Sequence, residues 1–131
     1  MEIELEQIDG RRFVIRARGN EVIVDDTVEA GGPGDGFRPT ELLLGALSAC
    51  MAGTMTNFAN DQGIAIDGIT VSVSDQVEKA PTRIGGIAVS MIVRADTDER
   101  QAAALERVAS ACKIHNTLKR PPRIDVEFEV E

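Results

Sequence analysis

The reactive side chains of this sequence are two cysteines and a single histidine, and their spacing limits the chemistry that they could perform. Cys50 lies within a stretch without charged residues, 42–60, and Cys112 follows 62 residues later. His115 comes three residues after Cys112. The thiolate is the reactive form of cysteine, and a nearby cation stabilises it. Two thiols that folding brings together would therefore support redox chemistry, whereas two separate buried thiols would be inert core residues.

Other uses of these residues fit the spacing poorly. The C-x-x-H pair formed by Cys112 and His115 leaves only Cys50 as a further thiol, whereas a structural zinc site needs four ligands. The spacing alone is equally weak evidence for a Cys-His hydrolase. The glycine-rich segment 29–38 lacks the Gly-Lys-Ser/Thr ending of a phosphate-binding loop. We therefore expect neither a metal nor a nucleotide, and we interpret this segment as a flexible lid or a plain connector.

Three arginines are candidates for the cation beside Cys50. Arg16 and Arg18 lie on the second predicted strand, and Arg38 directly precedes the charge-free stretch. Each could equally be surface charge, so the residue types alone leave the choice open. Glu41 lies nine residues before Cys50, which on one straight helix places it about 13 Å away along the axis and on the opposite side. It could orient an arginine, serve another subunit's site, or stabilise the helix N-terminus electrostatically.

Composition and charge argue against nucleic acid as a partner. The sequence has 131 residues, a formal net charge of −8 and an isoelectric point near 4.7. A nucleic-acid-binding surface needs clustered basic residues, which this chain does not provide. The chain has no tryptophan and no tyrosine, so aromatic platforms on which bases could stack are also lacking.

The N-terminus and the charge-free stretch predict a cytoplasmic protein without a membrane segment. The first residues, MEIELEQID, are acidic and lack the basic start and apolar run of a signal peptide. The stretch 42–60 approaches the length of a membrane span, but five serine, threonine and asparagine side chains make it too polar. Thiols are kept reduced in the cytoplasm, so the two cysteines indicate either inert core or transient redox chemistry.

Hydrophobic periodicity predicts the strands that must position these residues. Apolar side chains alternate with polar ones, which is typical of strands with one buried face. Asp9-Gly10 and Gly19-Asn20 are turn signals between the first of these segments. The predicted strand segments are 3–5, 13–17, 22–24, 69–78, 85–95 and 124–130.

Two helices are predicted between these strands. The first covers 39–62, with Pro39 at a suitable first helical position, and its lack of charge predicts burial on most of its circumference. The second begins near 96 and places Leu105 and Cys112 on one apolar face. The order β-β-β-α-β-β-α-β is that of an α+β fold. We expect a single domain over 1–131, made of N-terminal strands and a glycine-rich loop (1–38), the helix (39–62) and a β-β-α-β region (63–131).

A stripe of small residues on the first helix predicts assembly. Gly45, Ala49 and Gly53 recur every four residues, and side chains of this size allow another backbone to approach closely. One 131-residue layer can hardly cover an apolar helix on all sides. We expect a second copy to supply part of the cover in a homodimer. The alternative is a helix wrapped by the chain's own sheets.

Two motifs together resemble the OsmC/Ohr family of osmotically inducible and organic hydroperoxide resistance proteins. They are PTELLLGALSAC at 39–50 and CKIHNTL at 112–118. The resemblance implies antiparallel β-sheets around a long central hydrophobic helix, in an intertwined homodimer. In the best characterised members a glutamate directly follows the proline, where this chain has Thr40, and a proline usually follows the second cysteine, where this chain has Lys113.

The same resemblance implies a reaction, the reduction of organic hydroperoxides. By matching position, Cys50 would attack the peroxide and become a sulfenic acid, which Cys112 would resolve to a disulfide. Arg18, preferred to Arg16, would stabilise the thiolate, with Glu41 as a further candidate site residue. A dithiol reductant, lipoyl-type in some relatives, would regenerate the thiols, and no bound cofactor is required because sulfur itself is oxidised and reduced.

Two other functions stay open at this point. One is an OsmC-like protein that binds an apolar or thiol-bearing small molecule and whose cysteines are redox-sensitive without turnover. The other is a structural dimerisation domain with buried, inert thiols.

Overall fold

Three antiparallel strands form the N-terminal part of the chain in the computed structural model, which describes residues 1–131. They are β1 (Glu4–Asp9), β2 (Arg12–Ala17) and β3 (Asn20–Val24), in the sheet order β1-β2-β3. Arg18 and Gly19 connect β2 to β3 and both have positive φ angles, 53° and 80°. Such a turn matches the right-handed twist of the two strands. It therefore fixes the pairing of Ala17 with Asn20 at the end of the hairpin.

Two buried aspartates hold the glycine-rich segment that follows β3. Asp25 and Asp26 are only 3 % and 6 % exposed. The Asp25 carboxylate accepts a hydrogen bond of 2.7 Å from the backbone amide of Asp35. Asp26 forms ion pairs with Arg11 and Arg38. These partners satisfy carboxylates that burial would otherwise destabilise, so the loop is tied back onto its own part of the chain.

The predicted helix over 39–62 is present as α1 (Pro39–Gln62). It fully buries one narrow stripe of side chains at four-residue spacing, Leu47, Met51, Met55 and Ala59. One chain alone therefore leaves most of the circumference of α1 uncovered, and burial of the rest by a second copy stays a prediction. The remaining faces have no covering element here, because the elements that pack on α1 contact one side of it.

By length and composition, α1 is the one helix that could cross a membrane. An 18-residue window within it has a mean hydropathy of 1.4, and 22 % of that window is buried. The core helix of a soluble protein passes the same test. The absence of a membrane segment therefore stays a prediction from the sequence.

By contacts the chain divides into two compact units, Met1–Gly45 and Ala46–Glu131. The second unit contains the long hairpin of β4 (Ile66–Glu78) and β5 (Arg83–Ala95). It also contains α2 (Glu99–Ala109), whose N-cap Asp98 and N3 residue Gln101 exchange two hydrogen bonds in a capping box. One face of the hairpin packs against α1 and α2 and forms the core of this unit. The antiparallel sheets and helices confirm the α+β class.

The second predicted helix was too long, and Cys112 does not lie on it. Helix α2 ends at Ala109, and a further helix, α3 (Lys113–Lys119), begins directly after Cys112, which is its N-cap. The apolar periodicity of α2 continues past its end at Ala109, because Cys112 faces the core although it is the N-cap of the next helix. The core location of Cys112 was correct, since the residue is 1 % exposed.

The predicted final strand is absent, so the region 63–131 has the order β-β-α-α rather than β-β-α-β. Residues 121–131 have no regular structure, and every one of them is exposed. The alternation of apolar and acidic residues is real, but a strand also needs a neighbour with which to exchange hydrogen bonds. No strand of the same chain pairs with this segment. Its four large apolar side chains are 79–87 % exposed: Ile124, Val126, Phe128 and Val130.

Candidate active site

The start of α3 brings the two thiols of the sequence into contact. Cys50 lies on α1, and its Sγ accepts a hydrogen bond of 3.4 Å from the backbone amide of Ile114. The Sγ of Cys112 accepts a similar bond of 3.4 Å from the amide of His115. The two thiols are also close enough for each to influence the pKa of the other. Two residues that are 62 positions apart in sequence thus share one site.

The environment lowers the pKa of the Cys50 thiol below the ordinary value. Burial is the largest single influence and raises this pKa. It is outweighed by hydrogen bonds to the sulfur, first from the Ile114 amide, then from the Cys112 thiol and the Lys113 amide. Donors of this kind favour the charged sulfur because they point positive charge at it. Cys50 is therefore the thiol that ionises first.

Thr54 lies one turn further along α1 and has a smaller influence on the pKa of Cys50. Its hydroxyl is close enough to lower the pKa of Cys50, but it donates to the backbone carbonyl of Cys50 at 2.8 Å. A hydroxyl has one proton to donate. We therefore attribute the stabilisation of the thiolate to the two backbone amides and to Cys112.

The opposite shift holds for Cys112, whose pKa is raised above the ordinary value. Burial is again the largest influence and raises this pKa, and the amide of His115 opposes it. The neighbouring Cys50 raises it further, since a thiol that donates to a thiolate is stabilised in its protonated form. The pair therefore consists of a half-buried Cys50 that ionises readily and a buried Cys112 that keeps its proton.

The arginines and the glutamate predicted for the site all belong to the N-terminal unit. Arg16 bridges Glu6 and Glu21, with contacts of 2.8 Å to each. Arg38 pairs with Asp26. Arg18 is exposed at the turn between β2 and β3 and forms no ion pair.

Glu41 has a local partner at the start of α1. Its Oε1 accepts a hydrogen bond of 2.7 Å from the backbone amide of Arg38, just before the helix begins. An amide at this position has no partner within the helix, so a carboxylate there stabilises the N-terminus. This contact is the electrostatic role that the sequence offered as one alternative for Glu41.

Sequence reasoning missed the donors that act on Cys50. They are backbone amides of residues 113 and 114, which have no side-chain signature, and they become available because a helix starts at Cys112. The sequence signal that could have revealed these amides is Cys112 at the N-cap of α3. It is a weak signal, because Ser, Thr, Asp and Asn are the usual N-cap residues. No group of three or more His, Cys, Asp or Glu side chains in the structure could hold a metal ion.

A cavity of about 560 Å³ lies within the same unit as the cysteines. Its wall comes from α1, β5, α2 and the first turn of α3, where His115 lines it. Three of the four methionines of the chain also line it: Met51, Met55 and Met91. This volume is within the usual range of small-molecule sites.

The fold and the paired thiols define a class of protein, and the family model described as OsmC-like protein matches residues 32–127. The chain belongs to the OsmC-like family. No curated protein matches this sequence.

Several solved structures are similar to this chain and have the same fold. A putative osmotic stress induced and detoxification response protein from Psychrobacter arcticus superposes with a TM-score of 0.80 at 24 % identity, over 88 % of this chain and 85 % of that one. The organic hydroperoxide resistance protein OhrB of Bacillus subtilis gives 0.63 at 23 % identity, over 92 % and 90 %. A putative organic hydroperoxide resistance protein from Vibrio cholerae, with captopril in one of its active sites, gives 0.62 at 21 % identity, over 92 % and 86 %.

The dependence of Cys50 on a backbone donor can be tested by removing that donor. Ile114→Pro deletes the amide hydrogen while leaving the first turn of α3 able to form. We expect the pKa of Cys50 to rise, so that at pH values below its midpoint the thiolate fraction and the alkylation rate fall. The measurement is the rate of iodoacetamide labelling against pH, read from the Cys50 peptide by mass spectrometry.

Two further variants serve as controls for this experiment. Ile114→Ala removes the side chain but keeps the amide, so its profile should stay close to that of the wild type. Lys113→Pro removes the weaker amide donor and should raise the midpoint less than Ile114→Pro. Equal shifts for Ile114→Ala and Ile114→Pro would show that packing, and not the amide, controls the thiol.

Proposed function

We propose that this protein reduces organic hydroperoxides with a pair of cysteines. The single observation that carries the proposal is that the start of α3 holds both thiols, through the Ile114 and His115 amides, with the pKa of Cys50 lowered and that of Cys112 raised. An attacking thiol must be ionised, whereas a resolving thiol must stay close and can stay protonated until the second step. Membership of a family that includes structures of organic hydroperoxide resistance proteins adds support.

The reaction follows in two steps from this arrangement. The Cys50 thiolate attacks the terminal oxygen of ROOH, the O–O bond breaks, and RO⁻ leaves and takes a proton to become the alcohol. Cys50 is then a sulfenic acid, oxidised by two electrons. The Cys112 sulfur attacks the Cys50 sulfur, its proton and the hydroxyl leave as water, and a disulfide forms. A dithiol reductant, for which we propose a lipoyl-type compound in the cytoplasm, then returns both sulfurs to thiols by exchange.

We assign the cationic partner of the thiolate to Arg18. The guanidinium groups of Arg16 and Arg38 are already paired with carboxylates, whereas that of Arg18 is exposed and without an ion pair. A cation within about 4–6 Å of the sulfur would add to the hydrogen bonds and depress the thiol pKa further. Glu41, which forms no ion pair in this chain, is the proposed carboxylate to orient that arginine.

A homodimer is part of the proposal, because one chain leaves much apolar surface uncovered. The exposed face of α1 includes Gly45, Ala49 and Gly53, and a methyl group added at either glycine would meet no atom within 4 Å. The C-terminal segment exposes four apolar side chains in strand-like alternation. We propose that a second copy packs its α1 against this face and that the C-terminal segment adds as a strand to an open sheet edge of that copy.

Small-molecule binding without turnover is the second candidate, and the cavity that His115 lines favours it. The similar Vibrio cholerae protein with captopril in an active site is a further indication that small molecules enter such sites. The peroxide assay below separates the two functions, since a binding protein consumes no peroxide.

The peroxidase proposal predicts different defects for the two cysteines. With a dithiol present, the wild type should consume cumene hydroperoxide, and Cys50→Ser should abolish consumption because the attacking sulfur is missing. Cys112→Ser should react once and retain a sulfenic acid that dimedone labels at Cys50. Xylenol-orange detection of remaining peroxide and intact-mass spectrometry are the measurements. Equal consumption by the wild type and Cys50→Ser would rule the mechanism out.

The assignment of Arg18 predicts a specific loss of rate. Arg18→Ala should lower the second-order rate constant with cumene hydroperoxide about 10-fold near neutral pH, since a nearby cation is worth one pKa unit or more. Arg16→Ala, which breaks exposed ion pairs only, should leave the rate within about twofold. Raising the pH should restore part of the rate in Arg18→Ala, because more Cys50 ionises. If Arg16→Ala has the larger defect, the assignment is wrong.

Gly53→Leu tests the helix–helix interface. In an isolated chain this change should fit without a clash and stabilise α1 by about 1 kcal/mol, because glycine is a poor helix former. In the proposed dimer the same side chain should separate the helices and give a monomer in sedimentation velocity. Ala103→Leu, on the exposed surface of α2, is the matched control and should stay dimeric. A monomeric wild type, or a Gly53→Leu variant that dimerises normally, would contradict the proposal.

A further inference from the structure

His115 has an imidazole that the thiol chemistry does not use. Its backbone amide donates to Cys112, but its side chain makes no hydrogen bond. Nδ1 is buried and without a partner. His115 is one of the residues that line the cavity described above. A buried polar atom without a partner is uncommon in proteins and calls for an explanation.

The position of the ring proton follows from this burial. A neutral imidazole has one N–H donor and one bare nitrogen. Orphaned buried N–H groups are rarer in proteins than orphaned acceptors, so the bare nitrogen belongs at Nδ1 and the hydrogen at Nε2. Nε2 is not among the buried atoms of the ring and has no protein partner. His115 thus offers one unused donor on a residue that lines the cavity.

The rest of the wall limits what that donor could bind. Most of the lining side chains are apolar, among them Met51, Met55 and Met91. Methionine is flexible and adapts to irregular apolar shapes. The lining also includes the carboxylate residue Glu106, which disfavours an anionic ligand by repulsion. The matching ligand is neutral, mainly apolar, and carries an oxygen that can accept a hydrogen bond.

We propose that this cavity binds a neutral hydrocarbon compound with one oxygen acceptor, held by the Nε2–H of His115 and by the methionine-lined wall. The identification of that compound with the hydroperoxide substrate, or its alcohol product, rests on the proposed function. In that case His115, which follows Cys112 by three residues, is a positioning and specificity residue: it holds the oxygen end of the molecule, while the wall holds the hydrocarbon part.

Methionine-methyl NMR can test this binding without any turnover. Three of the four methionines line the cavity, and the fourth, Met1, is fully exposed and serves as an internal control. The probes are cumyl alcohol, which cannot oxidise a thiol, and cumene, which has the same hydrocarbon body without the hydroxyl. We expect both probes to shift the methyl signals of Met51, Met55 and Met91 and not that of Met1. Shifts at none of the three would overturn the proposal.

The hydrogen bond from His115 is tested by comparing the two probes in two variants. His115→Phe keeps a ring and removes the donor, so cumyl alcohol should bind about 3- to 10-fold more weakly, the usual range for one hydrogen bond, while cumene should be unaffected. His115→Gln keeps an N–H donor and should retain most of the affinity for the alcohol. Equal weakening of both probes in His115→Phe would show that the residue only shapes the wall.

Folding and activity are controlled separately. The dispersion of the methyl spectrum shows whether His115→Phe is folded. If it is not folded, the ratio of the affinities for cumyl alcohol and cumene in His115→Gln decides. A ratio near that of the wild type supports the hydrogen bond, and a ratio that loses the preference for the alcohol contradicts it. Binding of cumyl alcohol without peroxide consumption would contradict the proposed function and leave the cavity site standing. Peroxide consumption without methyl shifts would contradict the site alone.

Discussion

The chemistry proposed for this protein depends on the hydrogen bonds that offset the cost of burying a thiolate. Removing a thiolate from water raises its free energy, and burial is indeed the largest influence on both cysteines. At Cys50 the first turn of α3 reverses the outcome, because the amide of Ile114 donates to the sulfur and the Lys113 amide and the Cys112 thiol lower the pKa further. The direction of the shift therefore depends on where one short helix begins.

The same placement makes the two cysteines unequal. Cys112 is both the N-cap of α3 and the thiol that lowers the pKa of Cys50, so stabilising one sulfur as a thiolate stabilises the other as a thiol. An attacking group and a resolving group need these opposite states at the moment of reaction. No arginine is among the main influences on Cys50 within this chain. A guanidinium from Arg18 would therefore strengthen an asymmetry that the backbone already creates.

The apolar surface that remains exposed connects the site to assembly. Helix α1 carries Cys50 and also presents glycines at positions 45 and 53 on its exposed side. The C-terminal segment, 121–131, has the composition of a strand and no partner. A protein that folded only as one copy would leave these faces in water at a cost of about 25 cal/mol per Å² of apolar area. Both features are explained at once if the folding unit includes a second chain.

The sequence by itself determined the α+β class, the bounds of α1 and the presence of the five strands, because period-two and charge-free patterns are local signals. It also indicated Cys50, Cys112 and His115 as the candidate reactive side chains. Only the tertiary structure decided that the sulfurs meet, that α3 begins at Cys112, and that residues 124–130 lack a strand partner within the chain. These outcomes depend on backbone donors and on contacts between distant segments, and neither leaves a pattern in neighbouring residues.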